Sequence, residues 1–165
     1  MAKYSIIIPT YNSIKYIKEC VQSVLDQHVN DFQLIIVDSG STDHTLQWIY
    51  GLQDSRITVY ESPNRLGIEE NWARIKEIEK AEFMTILGHD DVLHSDYLQT
   101  MGSLIDKHPD ASLYQTHFLF KSWASCHEVH TQEETPWMSV SQGRMLLNIH
   151  QERDAITFFL KKIKI

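Results

Sequence analysis

The sequence predicts an α/β fold, an open and mostly parallel sheet with helices on both faces. Short apolar runs at Tyr4–Ile8, Phe32–Val37, Ile57–Tyr60 and Phe83–Leu87 alternate with segments of helical spacing. Strands that alternate with helices are joined by right-handed crossovers, which makes the sheet mostly parallel. At 165 residues the chain is expected to form one domain with a sizeable core. The polar turns that follow the first, second and fourth runs lie at Thr10, Asp38 and Asp90. In such a sheet they fall on one edge, where ligands bind in open α/β folds.

Each element has its own signal. Tyr4–Ile8 is β-branched and is expected to stop at Pro9, and Asn12 or Ser13 is then a candidate helix cap. Ile14, Ile17, Val21, Val24 and Leu25 recur at helical spacing up to Asp26. Phe32–Val37 runs into Asp38-Ser39-Gly40-Ser41-Thr42-Asp43, a turn rich in small polar residues, with Asp43 placed to cap a helix through Leu52. Ile57–Tyr60 is short enough for an edge strand. After the turn Asn64-Arg65-Leu66-Gly67, Glu69 and Glu70 sit in the first turn of a helix, where the macrodipole favours them. Trp72, Ile75 and Ile78 are the expected buried stripe of that helix, and Trp48, Trp72 and Met101 are read as core residues.

Ser95 is the expected cap of a helix carrying Tyr97, Leu98, Met101, Leu104 and Ile105, which Pro109 ends. Ser112–Phe120 reads as a fifth strand, Lys121–Pro136 as a loop and Met138–His150 as a helix. Ile156–Ile165 is apolar and basic without a turn or cap signal. Its apolar residues are expected to drive self-association or to add a strand at the sheet edge.

Composition narrows the function. A formal net charge of -7 speaks against a nucleic-acid partner. Two cysteines, Cys20 and Cys126, make no disulfide framework. No run approaches a membrane span and the N-terminus has no signal-peptide pattern, so a cytoplasmic location is expected. The cluster Lys161-Lys162-Ile163-Lys164 is able to touch an anionic membrane peripherally. There is no Gly-x-Gly-x-x-Gly and no Walker loop, which argues against NAD enzymes and P-loop NTPases. His117, Cys126, His127 and His130 fit no standard zinc spacing.

The most telling stretch is Thr85-Ile86-Leu87-Gly88-His89-Asp90-Asp91-Val92, an apolar strand ending in two adjacent carboxylates. Like charges side by side are costly without a positive partner. A magnesium or manganese ion suits them, since hard cations prefer carboxylate oxygens. The plainer reading is a solvated acidic turn.

Taken in order, Ile6-Ile7-Ile8-Pro9-Thr10-Tyr11-Asn12, Val37-Asp38-Ser39-Gly40-Ser41-Thr42-Asp43, Asn64-Arg65-Leu66-Gly67 with Asn71, and Leu87-Gly88-His89-Asp90-Asp91 resemble the family 2 glycosyltransferases. The resemblance covers roughly the first two-thirds of the chain and implies the Rossmann-like GT-A fold. It divides a single domain, 1–165, into a nucleotide-sugar-binding part, 1–120, and an incomplete or divergent acceptor part, 121–165. It implies inverting transfer from a nucleotide-sugar, expected to be a UDP-sugar, to an unidentified glycan or lipid-linked acceptor in polysaccharide assembly. Pro9, Thr10, Tyr11 and Asp38 are the implied nucleoside contacts, with the Asp38 carboxylate accepting from a uracil imide N–H. Arg65 is either a phosphate contact or a plain surface charge. Asp90 falls on the family's metal-binding aspartate, Asp91 follows as a helper, and the metal is Mn or Mg. Gly88 replaces the motif's first aspartate, and His89 is the residue able to substitute near the ribose.

No stretch after Phe120 matches the family's general-base motif, so no base is assigned. Glu133, Glu134, Glu152 and Asp154 are candidates only by being present. The chain is short for the family, and a truncated form is expected. The alternative function is a non-catalytic nucleotide-binding remnant, separable by donor binding without transfer. A nucleotidyltransferase would need a glycine-rich activating loop near the first strand, and Pro9-Thr10-Tyr11-Asn12 is not one.

Overall fold

A computed structural model describes residues 2–116 throughout, and the backbone of short strands at 120–121, 128–129 and 158–161. The chain begins with β1 (Tyr4–Thr10), α1 (Ile17–Leu25), β2 (Phe32–Asp38), α2 (Thr45–Gly51) and β3 (Ile57–Tyr60). It continues with α3 (Ile68–Ala73), a 3-10 turn (Arg74–Lys76), β4 (Phe83–Ile86) and α4 (Tyr97–Lys107). The last strands are β5 (Leu113–Gln115), β6 (Phe120–Lys121), β7 (Glu128–Val129) and β8 (Phe158–Lys161). The main sheet runs β3-β2-β1-β4-β8-β5, with β1 parallel to β2 and β4, and β2 parallel to β3.

The continuous apolar runs are explained by burial on both sides, as expected for central parallel strands. Ile6, Ile8, Leu34 and Ile36 face a core filled by Ile17, Val21 and Val24 of α1, Ile49 of α2, and Leu98 and Met101 of α4. Ile7, Ile35 and Val37 face the opposite way, against Ile75 and Ile78. Helices therefore cover both faces, and β3, paired only with β2, is the edge strand expected from its length.

Several local expectations are corrected. Pro9 does not stop β1, which runs on to Thr10 and pairs Pro9 with Val37. The Ile7 carbonyl accepts from Leu87 on the β4 side and the Thr10 carbonyl accepts from Ser39 on the β2 side. By alternation the Pro9 nitrogen faces β4, whose ladder with β1 ends at Ile7 and Ile86, so no bond is lost. Trp72 is 48% exposed; α3 buries Asn71 instead, and the buried Ile75 and Ile78 lie in and after the 3-10 turn that follows. Neither Asn12 nor Ser13 caps α1 with its side chain, and α4 starts after Asp96 rather than Ser95.

The tail is another. Phe158–Lys161 does not extend an edge of the main sheet; it lies antiparallel between β4 and β5, pairing Met84 with Leu160 and Leu113 with Leu160. Two parallel strands set one place apart leave facing rows of backbone donors and acceptors, and an antiparallel insert satisfies both. The fifth predicted strand is shorter, at Leu113–Gln115, and Phe120–Lys121 instead pairs with Glu128–Val129 inside the expected loop. The helix expected over Met138–His150 lies outside the described residues.

Candidate donor site

The carboxyl ends of β1, β2 and β4 form one edge. Thr10 pairs with Asp38, and the Leu87 N–H donates to the Ile7 carbonyl at 2.9 Å, so the segment from Gly88 to Asp91 leaves the sheet beside them. The loops after β1 and β2 are tied together by hydrogen bonds between side chains and backbone. The Asn12 N–H donates to Ser41 Oγ at 2.8 Å, and Asn12 Oδ1 accepts from the Thr42 N–H at 2.7 Å. The Ser13 N–H donates to Thr45 Oγ1 at 3.0 Å, while the Ser13 and Thr10 hydroxyls bond each other.

Asp43 serves both loops. Its carboxylate accepts from the Ile14 N–H at 3.0 Å and from the N–H and hydroxyl of Thr45, the first residue of α2. Burial opposes its charge, but these bonds outweigh burial and hold the carboxyl below its ordinary range. The expectation that Asp43 caps α2 is corrected: the N-cap is His44, without a side-chain cap bond, and Asp43 holds Thr45 from one residue before it.

Pro9 and Thr10 are buried at the end of β1, and Tyr11 is partly open to solvent. Asp38 is fully buried; its Oδ2 accepts from the N–H groups of Gly40 and Ser41 at 2.8 and 2.9 Å, and its Oδ1 from the Ser41 hydroxyl. The carboxylate thus shapes its own turn. Gly40 completes that turn at φ +82, and a Cβ there would lie 2.8 Å from the Asn64 carbonyl carbon. Only a glycine allows the backbone after β3 to press against the loop after β2. The contact brings Arg65 to Tyr11, with the guanidinium carbon 4.9 Å from the ring centroid.

Sequence reasoning missed Arg74. One of its terminal nitrogens donates to the Asp38 carbonyl at 2.7 Å and to Asn71 Oδ1 at 2.9 Å. The other donates to the carbonyls of Tyr60 and Glu61 at 3.1 and 2.8 Å. Asn71 in turn donates to the Val37 carbonyl at 2.8 Å. This pair closes the carboxyl ends of β2 and β3, where the ladder runs out of N–H donors. Its signal was faint: an Asn and an Arg three apart, where one turn of helix brings side chains together.

The acidic turn rests on α1. Cys20 donates its thiol to the Gly88 carbonyl at 3.3 Å, Ser23 Oγ accepts from the Leu93 N–H at 3.0 Å, and Gln27 donates to the His94 carbonyl at 2.6 Å. Burial, and then the charges of Asp91 and Asp90, push the Cys20 thiol far up, so it stays a neutral donor. Asp90 is exposed, and His89 and Asp91 are partly buried. Burial and the neighbouring Asp90 raise the Asp91 carboxyl above its ordinary range. A Cβ at Gly88 would lie 2.5 Å from Asp91 Oδ2 and 3.1 Å from Asp90 Oδ1, so both carboxylates fold over the bare glycine. An aspartate there would displace them.

Among the described residues no group of three or more His, Cys, Asp or Glu is placed to hold a metal. The donor set still fits a divalent cation of the magnesium type, which takes one or two carboxylates and completes its shell with phosphate and water. Glu133, Glu134, Glu152, Asp154 and the residues weighed for zinc lie outside the described residues.

The family model for glycosyl transferase family 2 matches residues 5–163. The chain belongs to this family. Among curated proteins it is 31% identical over 99 residues to the glycosyltransferase GlyG of Streptococcus pneumoniae, covering 59% of this chain and 33% of GlyG. It is 31% identical over 113 residues to the poly(ribitol-phosphate) beta-N-acetylglucosaminyltransferase TarS of Staphylococcus aureus, covering 66% of this chain and 20% of TarS. The crystal structure of TarS 1-349 with UDP-GlcNAc superposes with a TM-score of 0.61 at 30% identity, covering 67% of this chain and 33% of that one. A mannosyltransferase of Pyrobaculum calidifontis, solved with GDP-Man and Mn2+, shares the fold with a TM-score of 0.57 at 23% identity. The family 2 fold is thus the GT-A arrangement expected from the motifs, and the chain spans a fifth to a third of the length of GlyG and TarS.

Proposed function

We propose that this chain is the donor-binding part of a family 2 glycosyltransferase that transfers a sugar from a UDP-sugar. The observation that carries the reading is the convergence of three strand ends, with Thr10 paired to Asp38 and the Gly88–Asp91 turn beside them. The TarS complex with UDP-GlcNAc supports the choice of donor. Pro9, Thr10, Tyr11 and Asp38 are the nucleoside side of the site, and His89 lies toward the ribose. Asp90, exposed at the turn, and Asp91 behind it are the residues that would hold a manganese or magnesium ion on the diphosphate. Such an ion supplies charge neutralisation of the departing diphosphate. The Asp91 carboxyl is raised by burial first and by the Asp90 charge second, and a divalent ion between the two carboxylates would relieve that second cause.

Transfer inverts the anomeric centre in one displacement, in which an acidic base, not assigned to any residue of this chain, takes the acceptor proton. The acceptor is a glycan or a lipid-linked glycan, residues 1–120 bind the donor and residues 121–165 are an incomplete or divergent acceptor part. The enzyme works in the cytoplasm, where the basic cluster at Lys161–Lys164 suits an anionic membrane surface. Calorimetric titration with UDP, CDP and GDP, each with and without manganese, tests the reading. Manganese-dependent preference for UDP is expected, and equal weak binding of all three would refute it.

A further inference from the structure

We infer that Cys20, Ser23 and Gln27 are positioning residues for the donor's metal, a polar rail along α1 that sets the pose of the Asp90 and Asp91 carboxylates. The inference rests on the donor reading above. Steps of three and then four residues put the three side chains on one face of α1 and of the turn that continues it. Beside them the helix buries Ile17, Val21 and Val24, which serve the core. Gln27 is only 4% exposed, and both ends of its amide are bonded. Its Oε1 accepts from the Leu98 N–H at 2.9 Å, and its Nε2 donates to the carbonyls of His94 and Ser23 at 2.6 and 3.1 Å. Burying an amide is costly unless it is bonded in this way, and an apolar side chain would serve the core without that cost. What Gln27 adds is a grip on the backbone that carries the acidic turn into α4.

The rail holds the turn at both ends. On the entering side, the Gly88 carbonyl accepts from the Cys20 thiol at 3.3 Å and from the Asp91 N–H at 3.1 Å. The helix thus fixes the very carbonyl that closes the turn. On the leaving side, Ser23 Oγ accepts from the Leu93 N–H at 3.0 Å and donates to the Cys20 carbonyl at 2.7 Å. Between these two anchors lie His89, Asp90, Asp91 and Val92. Adjacent carboxylates repel until a cation reaches them, and a turn free to open would let them part. The anchors keep them together over Gly88 before any ion arrives. Groups that only hold a metal's ligands in place change its affinity by about tenfold or more.

UDP titration calorimetry with and without manganese, combined with thermal unfolding, tests the rail on the wild type, Gln27→Met, Ser23→Ala and Ser23→Thr. The manganese-dependent gain in UDP affinity is expected to fall about tenfold in Gln27→Met, and in the same direction in Ser23→Ala. UDP affinity without manganese is expected to stay the same in both. Ser23→Thr keeps the hydroxyl and is expected to keep the wild-type gain. A lower Tm with the manganese gain intact would mean that these residues only pack α1 on α4, and would overturn the rail. Equal losses with and without manganese would overturn it too, by placing their effect on the nucleotide rather than on the metal turn. If Gln27→Met does not fold, the Ser23→Ala and Ser23→Thr pair decides, since Ser23 is partly exposed and carries one bond to the turn. A wild type without any manganese gain would refute the metal part of the donor reading, and the rail with it. A manganese gain that the variants leave untouched would reject the rail alone.

Discussion

Arg74→Ala tests how the nucleotide side of the sheet is held together. The guanidinium satisfies four acceptors: the carbonyls of Asp38, Tyr60 and Glu61, and Asn71 Oδ1. Glu61 is exposed and Tyr60 is partly so, and their carbonyls regain water when the arginine is removed. Asp38 and Asn71 are buried, at 0% and 4% exposure, and each is left with an unsatisfied acceptor. A buried acceptor stripped of its donor costs about 1–3 kcal/mol, so the variant should lose about 2–6 kcal/mol. For a chain of this length, 1 kcal/mol moves Tm by about 2–4 °C, which puts the drop at about 4–24 °C. Thermal unfolding followed by circular dichroism reads it directly. Arg74→Lys should recover little, because one ammonium cannot span both strand ends. A Tm within 2 °C of wild type in Arg74→Ala, about the effect of under 1 kcal/mol, would show that water enters and that the latch is ornamental.

Asp90→Ala should remove manganese-dependent UDP affinity and leave Tm unchanged, because the side chain is exposed and no core contact depends on it; unchanged metal-dependent affinity would remove Asp90 from the metal role. Asp38→Asn replaces an acceptor-only group that holds Gly40, Ser41 and the Ser41 hydroxyl by an amide that also donates. Loss of the one charge-assisted bond to the uracil imide, about 1.5–3 kcal/mol, corresponds to a tenfold to hundredfold fall in UDP affinity, and the preference for UDP over CDP should blur; equal binding of UDP and CDP by the wild type would refute the uracil contact. Asp91 gives a pH signature. Its folded carboxyl titrates above the unfolded value of about 3.9, so the native state holds its proton longer and stability falls as pH rises through the folded value. Asp91→Asn should therefore raise Tm at neutral pH without metal, with the gain fading below pH ~4; a gain of equal size at pH ~3 would mean that charge is not its source.

What the sequence determined by itself is the sheet and its functional edge. Runs such as Ile6-Ile7-Ile8 and Leu34-Ile35-Ile36-Val37 are apolar at every position because both faces are covered, and that pattern is local. The turns at Thr10, Asp38 and Asp90 were legible for the same reason, since each follows its strand directly in the chain. Tertiary structure alone decided what fixes those turns. Cys20 is 68 residues from the carbonyl it holds at Gly88, and Arg74 is 36 from Asp38. Backbone carbonyls carry no side-chain signature, so sequence pattern cannot name them as partners. Trp72 was misplaced because the polar Asn71 takes the buried position, its amide bonded to Val37 across 34 residues. The antiparallel place of Phe158–Lys161 inside the sheet was likewise set by the unpaired rows of β4 and β5, which only the folded chain brings face to face.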